Sequence, residues 1–200
     1  MDNHDEGRAV PAPRRAPTQR LTRAHVVDTA LTILAGVGLP DLTMRAIGTE
    51  LGVQQSALYH HFENKQALLG AVADEIIARG PRTVSPPGGW QDQARQQCCD
   101  VRDAVTAYPD GADLVMSMWA FGMGGHAPFV GLCDLLVEAG LTHKVAPTAA
   151  RTLLHFVYGH AYDEQSHDHA ARSGITFGER APTDFDTGVN IVLAGINALL

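Results

Sequence analysis

Apolar residues recur every three to four positions along most of the chain, as they do on one face of an α-helix. No segment alternates apolar and polar residues over the length of a strand. The first helical stripe begins after Thr22, a residue type that caps helix starts, and it contains Val26, Ala30, Ile33, Leu34 and Val37. The pattern predicts an all-α protein.

Further helices follow, and several have a recognisable start or end. Thr43 is expected to cap a second, short helix that Gly52 ends, and Asn64 to cap a fourth that Pro81 closes. A third helix is predicted over 54–62. A linker is predicted at 82–89 and a loop at 173–182, because both are rich in turn-forming residues. The other predicted helices cover 90–107, 110–118, 128–138, 147–172 and 184–200.

The composition is that of a globular protein, with 45% hydrophobic and 18% charged residues in a chain of 200. The sequence has no apolar run of about 18 residues, and its first ten residues lack the apolar stretch of a signal peptide. Its three cysteines form no CxxC pair, which argues against a disulfide framework or a thiolate zinc site. We therefore expect a cytoplasmic protein with no membrane partner.

The net charge of −7 is unevenly distributed. Residues 1–80 carry a net charge of −1, whereas residues 81–200 carry −6. The first 20 residues are predicted to form a disordered basic arm, since they combine prolines with arginines and few large apolar side chains. No acidic residue interrupts the run that holds Arg8, Arg14, Arg15, Arg20 and Arg23. This arm favours a nucleic-acid partner, although the charge of the whole chain does not.

The segment 42–69 matches the geometry of a helix-turn-helix, with Gly52 at the tight turn between two short helices. Its inward positions are apolar: Ile47, Leu51, Val53 and Leu58. Small or polar residues suited to reading base edges occupy the outer face of the second helix, namely Gln54, Gln55, Ser56 and Ala57. Groups that can grip phosphates follow at Tyr59, His61 and Lys65, although Tyr59 could instead pack against the first helix.

Residues 21–77 resemble the N-terminal domain of the TetR family of bacterial transcriptional regulators. The resemblance rests on LTRAHVVDTALTILAGVG, LTMRAIGTELGV and ALYHHFENKQALL, which occur in that order. It implies a three-helix DNA-binding domain over 21–67, with Gln54 at the edge of the DNA-reading surface and Thr43 near a phosphate. The other positions implied to face DNA are Arg45, Gln55, Ser56, Ala57, Tyr59, His61 and Lys65.

The remainder resembles the tetracycline-repressor branch of that family, in GWQDQARQQCCDVRDAV, YPDGADLVMS, LLHFVYGHAYDEQ and FDTGVNIVLAGINALL. This implies that helix four joins the first domain to an all-helical ligand-binding and dimerisation domain over 68–200. In that branch a histidine on the sixth helix binds the magnesium of a drug chelate. Val115 stands near that position and cannot ligate a metal, so we expect no magnesium and no cofactor.

The ligand expected instead is a bulky, largely hydrophobic small molecule. Gln97, His155 and Asp163 match polar positions of the family's pocket, whereas Leu132 stands where the branch has a glutamine. Apolar residues near them suit such a ligand, although each of them could equally be a core residue: Val101, Met116, Met118, Trp119, Phe121 and Phe129. The histidines and acids of the long helix over 147–172 lie on different faces, so no metal site is expected there.

The last predicted helix is apolar on more than one face, which requires a second cover besides its own domain. The stripe expected at a homodimer interface is Phe185, Val189, Val192, Ile196 and Leu199. A dimer would present two recognition helices about 34–36 Å apart to successive major grooves.

The sequence therefore predicts a repressor, not an enzyme, that a ligand releases from palindromic double-stranded operator DNA. One alternative is a small helical hydrolase or lyase using His155 and Asp163 as an acid–base pair, but it lacks a positioned nucleophile. Another is a ligand-sequestering protein whose DNA-binding arm is vestigial.

Overall fold

The computed structural model of the protein describes residues 20–82, 88–174 and 185–200. These residues form nine α-helices and no strand. The first four are α1 Arg23–Val37, α2 Met44–Glu50, α3 Gln55–Leu58 and α4 Lys65–Arg79. The next five are α5 Trp90–Thr106, α6 Gly111–Ala120, α7 Ala127–Glu138, α8 Ala146–Arg172 and α9 Phe185–Asn197. The prediction of an all-α fold is confirmed.

Three helix starts lie where capping residues predicted them. The side-chain oxygens of Thr22, Thr43 and Asn64 each accept a hydrogen bond from a backbone N–H three residues later, at 3.2, 3.0 and 2.8 Å. Each bond satisfies an amide that the first turn of a helix leaves without a partner. Local chemistry therefore sets the beginnings of α1, α2 and α4.

Helix α3 is shorter than predicted. It ends at Leu58, and the amides of His61 and Phe62 both donate to the Leu58 carbonyl in the turn that follows, at 2.9 and 3.0 Å. Phe62 is thereby buried. The guanidinium of Arg23 lies 4.0 Å from the centre of the Phe62 ring and donates to the His61 carbonyl at 2.9 Å. This contact fixes the end of α3 against the start of α1.

Helix α8 is the centre of the second half of the chain and packs against α5, α6, α7 and α9. Its buried side is apolar and includes Leu153, Leu154, Val157, Tyr158 and Ala161. The amide of Gln165 ties α8 to the α5–α6 turn: it accepts from Ala112 N at 3.1 Å and donates to the carbonyls of Val105 and Tyr108 at 3.2 and 2.6 Å. The start of α6 is therefore held by α8.

Helix α4 connects the two halves by close packing on the α6–α7 loop. A Cβ on Gly70 would lie 2.2 Å from the Met123 carbonyl oxygen, and one on Gly124 would lie 2.3 Å from the Gly70 carbonyl oxygen. The backbones can approach this closely only because both residues are glycine. Asp74 adds a hydrogen bond from Gly125 N at 2.7 Å.

The basic arm predicted over 1–20 lies, except for Arg20, outside the described residues, as do 83–87 of the linker and 175–182 of the loop. Across the described ranges, none of the helices combines the length and hydrophobicity that a membrane span requires.

Candidate functional site

The turn between α2 and α3 is tight and depends on two glycines. Gly52 has a φ of 66°, in the left-handed region that favours glycine. Val53 N donates to the Gly48 carbonyl at 2.8 Å, and a Cβ on Gly48 would lie 3.0 Å from Val53 O. Ile47 and Leu58 are fully buried beneath this turn, and they anchor α2 and α3 to the core of the first four helices.

The residues predicted to face DNA lie together on this outer surface. Thr43, Arg45, Gln54, Gln55, Ser56 and Tyr59 are exposed, and Ala57, His61 and Lys65 are half-buried. Tyr59 is 47% exposed, so it is not a core residue. The Gln55 amide donates to the Tyr59 hydroxyl at 3.1 Å, which links the two side chains one turn apart on the outer side of α3.

A cavity of about 250 Å³ lies between α4, α5 and the start of α7. Gln97 and Val101, both expected at a ligand site, line it. Its other lining residues are Ile77, Pro81, Arg82, Asp100, Ala104, Ala127 and Pro128. Ile77 and Ala104 were not predicted from the sequence, because a helical apolar stripe looks the same whether its residues line a cavity or pack in the core.

The other expected ligand residues do not line this cavity. Met118, Trp119 and Leu132 are buried in the core, and Met116 and Phe129 pack against it. The Trp119 ring contacts those of Phe129, His155 and Tyr158, with centroids 6.0, 5.5 and 5.7 Å apart. Burial raises the pKa of the Tyr158 phenol beyond its usual range. Trp119, Phe129, His155 and Tyr158 thus form a packed aromatic cluster, and the expectation that the buried residues beside it bind a ligand stays a prediction.

The two residues of the hydrolase alternative lie apart from each other. His155 and Asp163 are both exposed and lie eight residues apart on α8. That separation is about 12 Å along a helix, too far for a proton to pass between them.

A buried histidine lies further along the same helix. His160 packs on the rings of Phe156 and Phe185, with its Nδ1 3.7 Å from Glu164 Oε1. Glu164 receives two hydrogen bonds from the Arg102 guanidinium, at 3.0 and 2.6 Å. Within the described residues, no three histidine, cysteine or acidic side chains are grouped as metal ligands.

Helix α9 presents a different face to solvent than expected. Phe185, Val189 and Ile196 are buried in the core of their own chain, and Val192 is half-buried. These four expected interface residues are therefore used internally, where Phe185 stacks on Phe156 with centroids 5.7 Å apart. Leu199 is 63% exposed and Ile191 68% exposed. The apolar surface left open thus lies on another side of the helix, around Ile191.

Comparison with known proteins agrees with this architecture. Residues 26–72 match the family model for bacterial regulatory proteins of the tetR family, and residues 84–179 match the tetracyclin repressor-like C-terminal domain. The chain is 36% identical over 166 residues to tetracycline repressor protein class A from transposon 1721 of Escherichia coli, covering 78% of this chain and 73% of the relative.

Solved structures show the same similarity. Mycobacterium smegmatis BioQ superposes with a TM-score of 0.83 at 36% identity, covering 90% of this chain and 100% of that one. BioQ bound to its double-stranded DNA operator superposes with a TM-score of 0.75 at 34% identity, covering 90% and 99%. The chain belongs to the TetR family, and it is a DNA-binding transcriptional regulator rather than an enzyme.

Proposed function

We propose that the protein is a homodimeric repressor that binds a palindromic operator through α2 and α3 and leaves it when a small, largely hydrophobic molecule binds. In this proposal, residues 21–67 form the DNA-binding domain and residues 68–200 the ligand-binding and dimerisation domain. The exposed pair of Gln55, the first residue of α3, and Tyr59, its C-cap, is the observation that carries the proposal, because both side chains project outward with no place in the core.

The exposed side chains around α2 and α3 are proposed to contact two different parts of the DNA. Gln55 and Ser56 supply donors and acceptors to base edges, with Ala57 against a thymine methyl and Gln54 at the margin. Tyr59, His61 and Lys65 contact phosphates, as do Arg45 from α2 and Thr43 at its cap. The likeness to BioQ in its operator complex supports this docking.

The dimer is proposed to form through the uncovered apolar face of α9. Core residues occupy one side of this helix, and a second side is polar, since Asn190 accepts from Arg95 at 2.9 and 2.7 Å. The third side carries apolar residues, most of them small, and they are exposed: Ile191, Ala194, Gly195 and Ala198. Helices of a second copy can approach this side closely, because Gly195 and the α8 residue Gly159 have open space around their α-carbons.

The inducer is proposed to occupy the cavity beside Gln97 and Val101. The amide of Gln97 can orient one polar group, while Val101, Ala104 and Pro128 supply apolar walls. Val115 is fully buried and offers no metal ligand, so binding should not require magnesium. The tetracycline repressors among the relatives do not by themselves make tetracycline the ligand here.

A thermal-shift screen of hydrophobic antibiotics and metabolites, run with and without magnesium, tests this assignment. Each molecule that raises the melting temperature is then added to the protein–DNA complex in a gel-shift assay. The proposal expects stabilising molecules to release DNA without magnesium. Release that depends on magnesium would contradict the argument from Val115.

A further inference from the structure

A second and larger space lies where the proposed DNA-binding domain meets the proposed ligand-binding and dimerisation domain. It is an open cleft of about 800 Å³, walled on one side by the end of α1 and the turn at 36–40, and on the other by α6 and α8. Its volume falls within the range of about 300–1,000 Å³ that is common for small-molecule sites, which often lie at domain interfaces. No residue lines both this cleft and the cavity beside Val101.

The walls of the cleft are suited to a flat, apolar molecule. Pro40 and Pro109 line it from opposite domains, and Tyr162 lines it from α8 with a ring that is 47% exposed. Proline and tyrosine present rigid faces, so they lose little conformational freedom when a ring packs on them.

An acidic residue lines one side of the cleft and basic residues line the other. Asp113 lies on the α6 side, where it accepts a hydrogen bond from Ser117 at 3.2 Å. His169 and Arg172 line the cleft from the last turn of α8, three residues apart and therefore on one side of the helix. Among residues 20–82, 88–174 and 185–200, no carboxylate forms an ion pair with the Arg172 guanidinium, which lines the cleft.

We infer that this cleft binds a planar aromatic carboxylic acid that carries a hydroxyl group at its far end. The carboxylate pairs with the Arg172 guanidinium, whose planar fork matches it in two parallel hydrogen bonds. The ring packs against Tyr162 and the two prolines, and the hydroxyl donates to Asp113.

A ligand in this position contacts both domains at the point where they are already linked. Asp110 lines the same cleft, and its carboxylate accepts from Leu39 N at 2.8 Å. Among the described residues it is also the non-glycine residue with a positive φ, at 58°. A molecule that touches both walls favours the domain arrangement seen here over others and can thereby alter DNA affinity.

Fluorescence titration of the full chain with 6-hydroxy-2-naphthoate tests the inference. This naphthoate has its carboxylate and hydroxyl at opposite ends of a fluorescent ring system. We expect saturable binding below about 1 mM, weakened about tenfold or more by Arg172→Ala. Tyr162→Ala should also weaken it, and 2-naphthol, which lacks the carboxylate, should bind less well.

Two matched variants locate the bound probe. Lys144→Ala removes an exposed cation elsewhere, and Val101→Phe fills the other cavity; neither should change the affinity. The inference is overturned if the probe fails to bind below about 1 mM, if Lys144→Ala weakens binding as much as Arg172→Ala, or if Val101→Phe abolishes it. None of these outcomes depends on whether the cavity beside Val101 holds the inducer.

Discussion

The carboxylate of Asp110 at the start of α6 accepts a hydrogen bond of 2.8 Å from the backbone amide of Leu39, in the turn between α1 and α2. The bond joins residues 71 positions apart and links the α1–α2 turn to the start of α6. Gly38 makes room for it, since a Cβ there would lie 2.7 Å from the Asp110 carboxylate oxygen.

Asp110→Ala should therefore destabilise the fold and weaken the connection between the domains. The Leu39 amide loses its acceptor, and alanine tolerates the left-handed backbone less well than aspartate, so we expect a loss of about 1–3 kcal/mol in the free energy of unfolding. Urea denaturation measures it. Asp103→Ala, at an exposed position on α5, is the control and should cost less than about 0.5 kcal/mol. Equal losses would contradict the role of Asp110.

The operator-binding surface is tested at Gln55 and Tyr59. Gln55→Ala and Tyr59→Phe should each weaken binding to a selected operator by about 5- to 30-fold, the usual loss of one or two hydrogen bonds at such an interface. Because both side chains are exposed, the melting temperature should hardly change. Fluorescence anisotropy with labelled DNA gives the affinities.

Gln93→Ala, which removes an amide from α5, is the matched control and should leave operator affinity unchanged. If Gln55→Ala and Gln93→Ala have the same effect, α3 does not read the DNA.

Filling the proposed inducer cavity should produce a protein that still binds DNA but no longer responds to its inducer. Val101→Phe puts a ring into a space of about 250 Å³, so an inducer found by thermal shift should lose its stabilising effect. DNA binding without inducer should persist, since Val101 lies on α5 and is not among the residues proposed to contact DNA. Val130→Phe adds the same ring at an exposed site on α7 and should leave the response intact. An unaltered response in the Val101 variant would place the inducer elsewhere.

The uncovered face of α9 is tested by placing a charge on it. If the proposed dimer forms through this face, Ile191→Asp should convert it to monomers, because a carboxylate buried against a second copy is strongly disfavoured. Analytical ultracentrifugation measures the mass of the particle in solution. Val130 is also exposed and apolar but lies on α7, so Val130→Asp should remain dimeric. A dimeric Ile191→Asp variant would exclude this face as the interface.

Local signals in the sequence predicted much of the fold. Thr22, Thr43 and Asn64 cap helices where their types predicted, and Gly52 forms the turn before α3. The extent of α3 was not predictable in this way, because its end depends on Phe62 entering the core and on Arg23 packing over it.

The ligand and dimer surfaces required three-dimensional information. An apolar residue such as Trp119 or Leu132 gives the same sequence pattern whether it lines a pocket or fills a core. The structure places both in the core. Helix α9 is apolar on two sides, so its sequence could not decide whether Val189 or Ile191 faces outward. Which side is buried depends on how α9 packs against α5 and α8, and the residue pattern of α9 alone does not give that packing.

Operator recognition by a symmetric dimer can be measured by selecting bound sequences from a random double-stranded DNA library. We expect enrichment of a two-fold symmetric site whose half-sites are about 10 base pairs apart, centre to centre, matching two copies of α3 in successive major grooves. The same selection with the Gln55→Ala, Tyr59→Phe double variant should lose that motif. Enrichment of an asymmetric single site, or of the same motif by the double variant, would contradict this expectation.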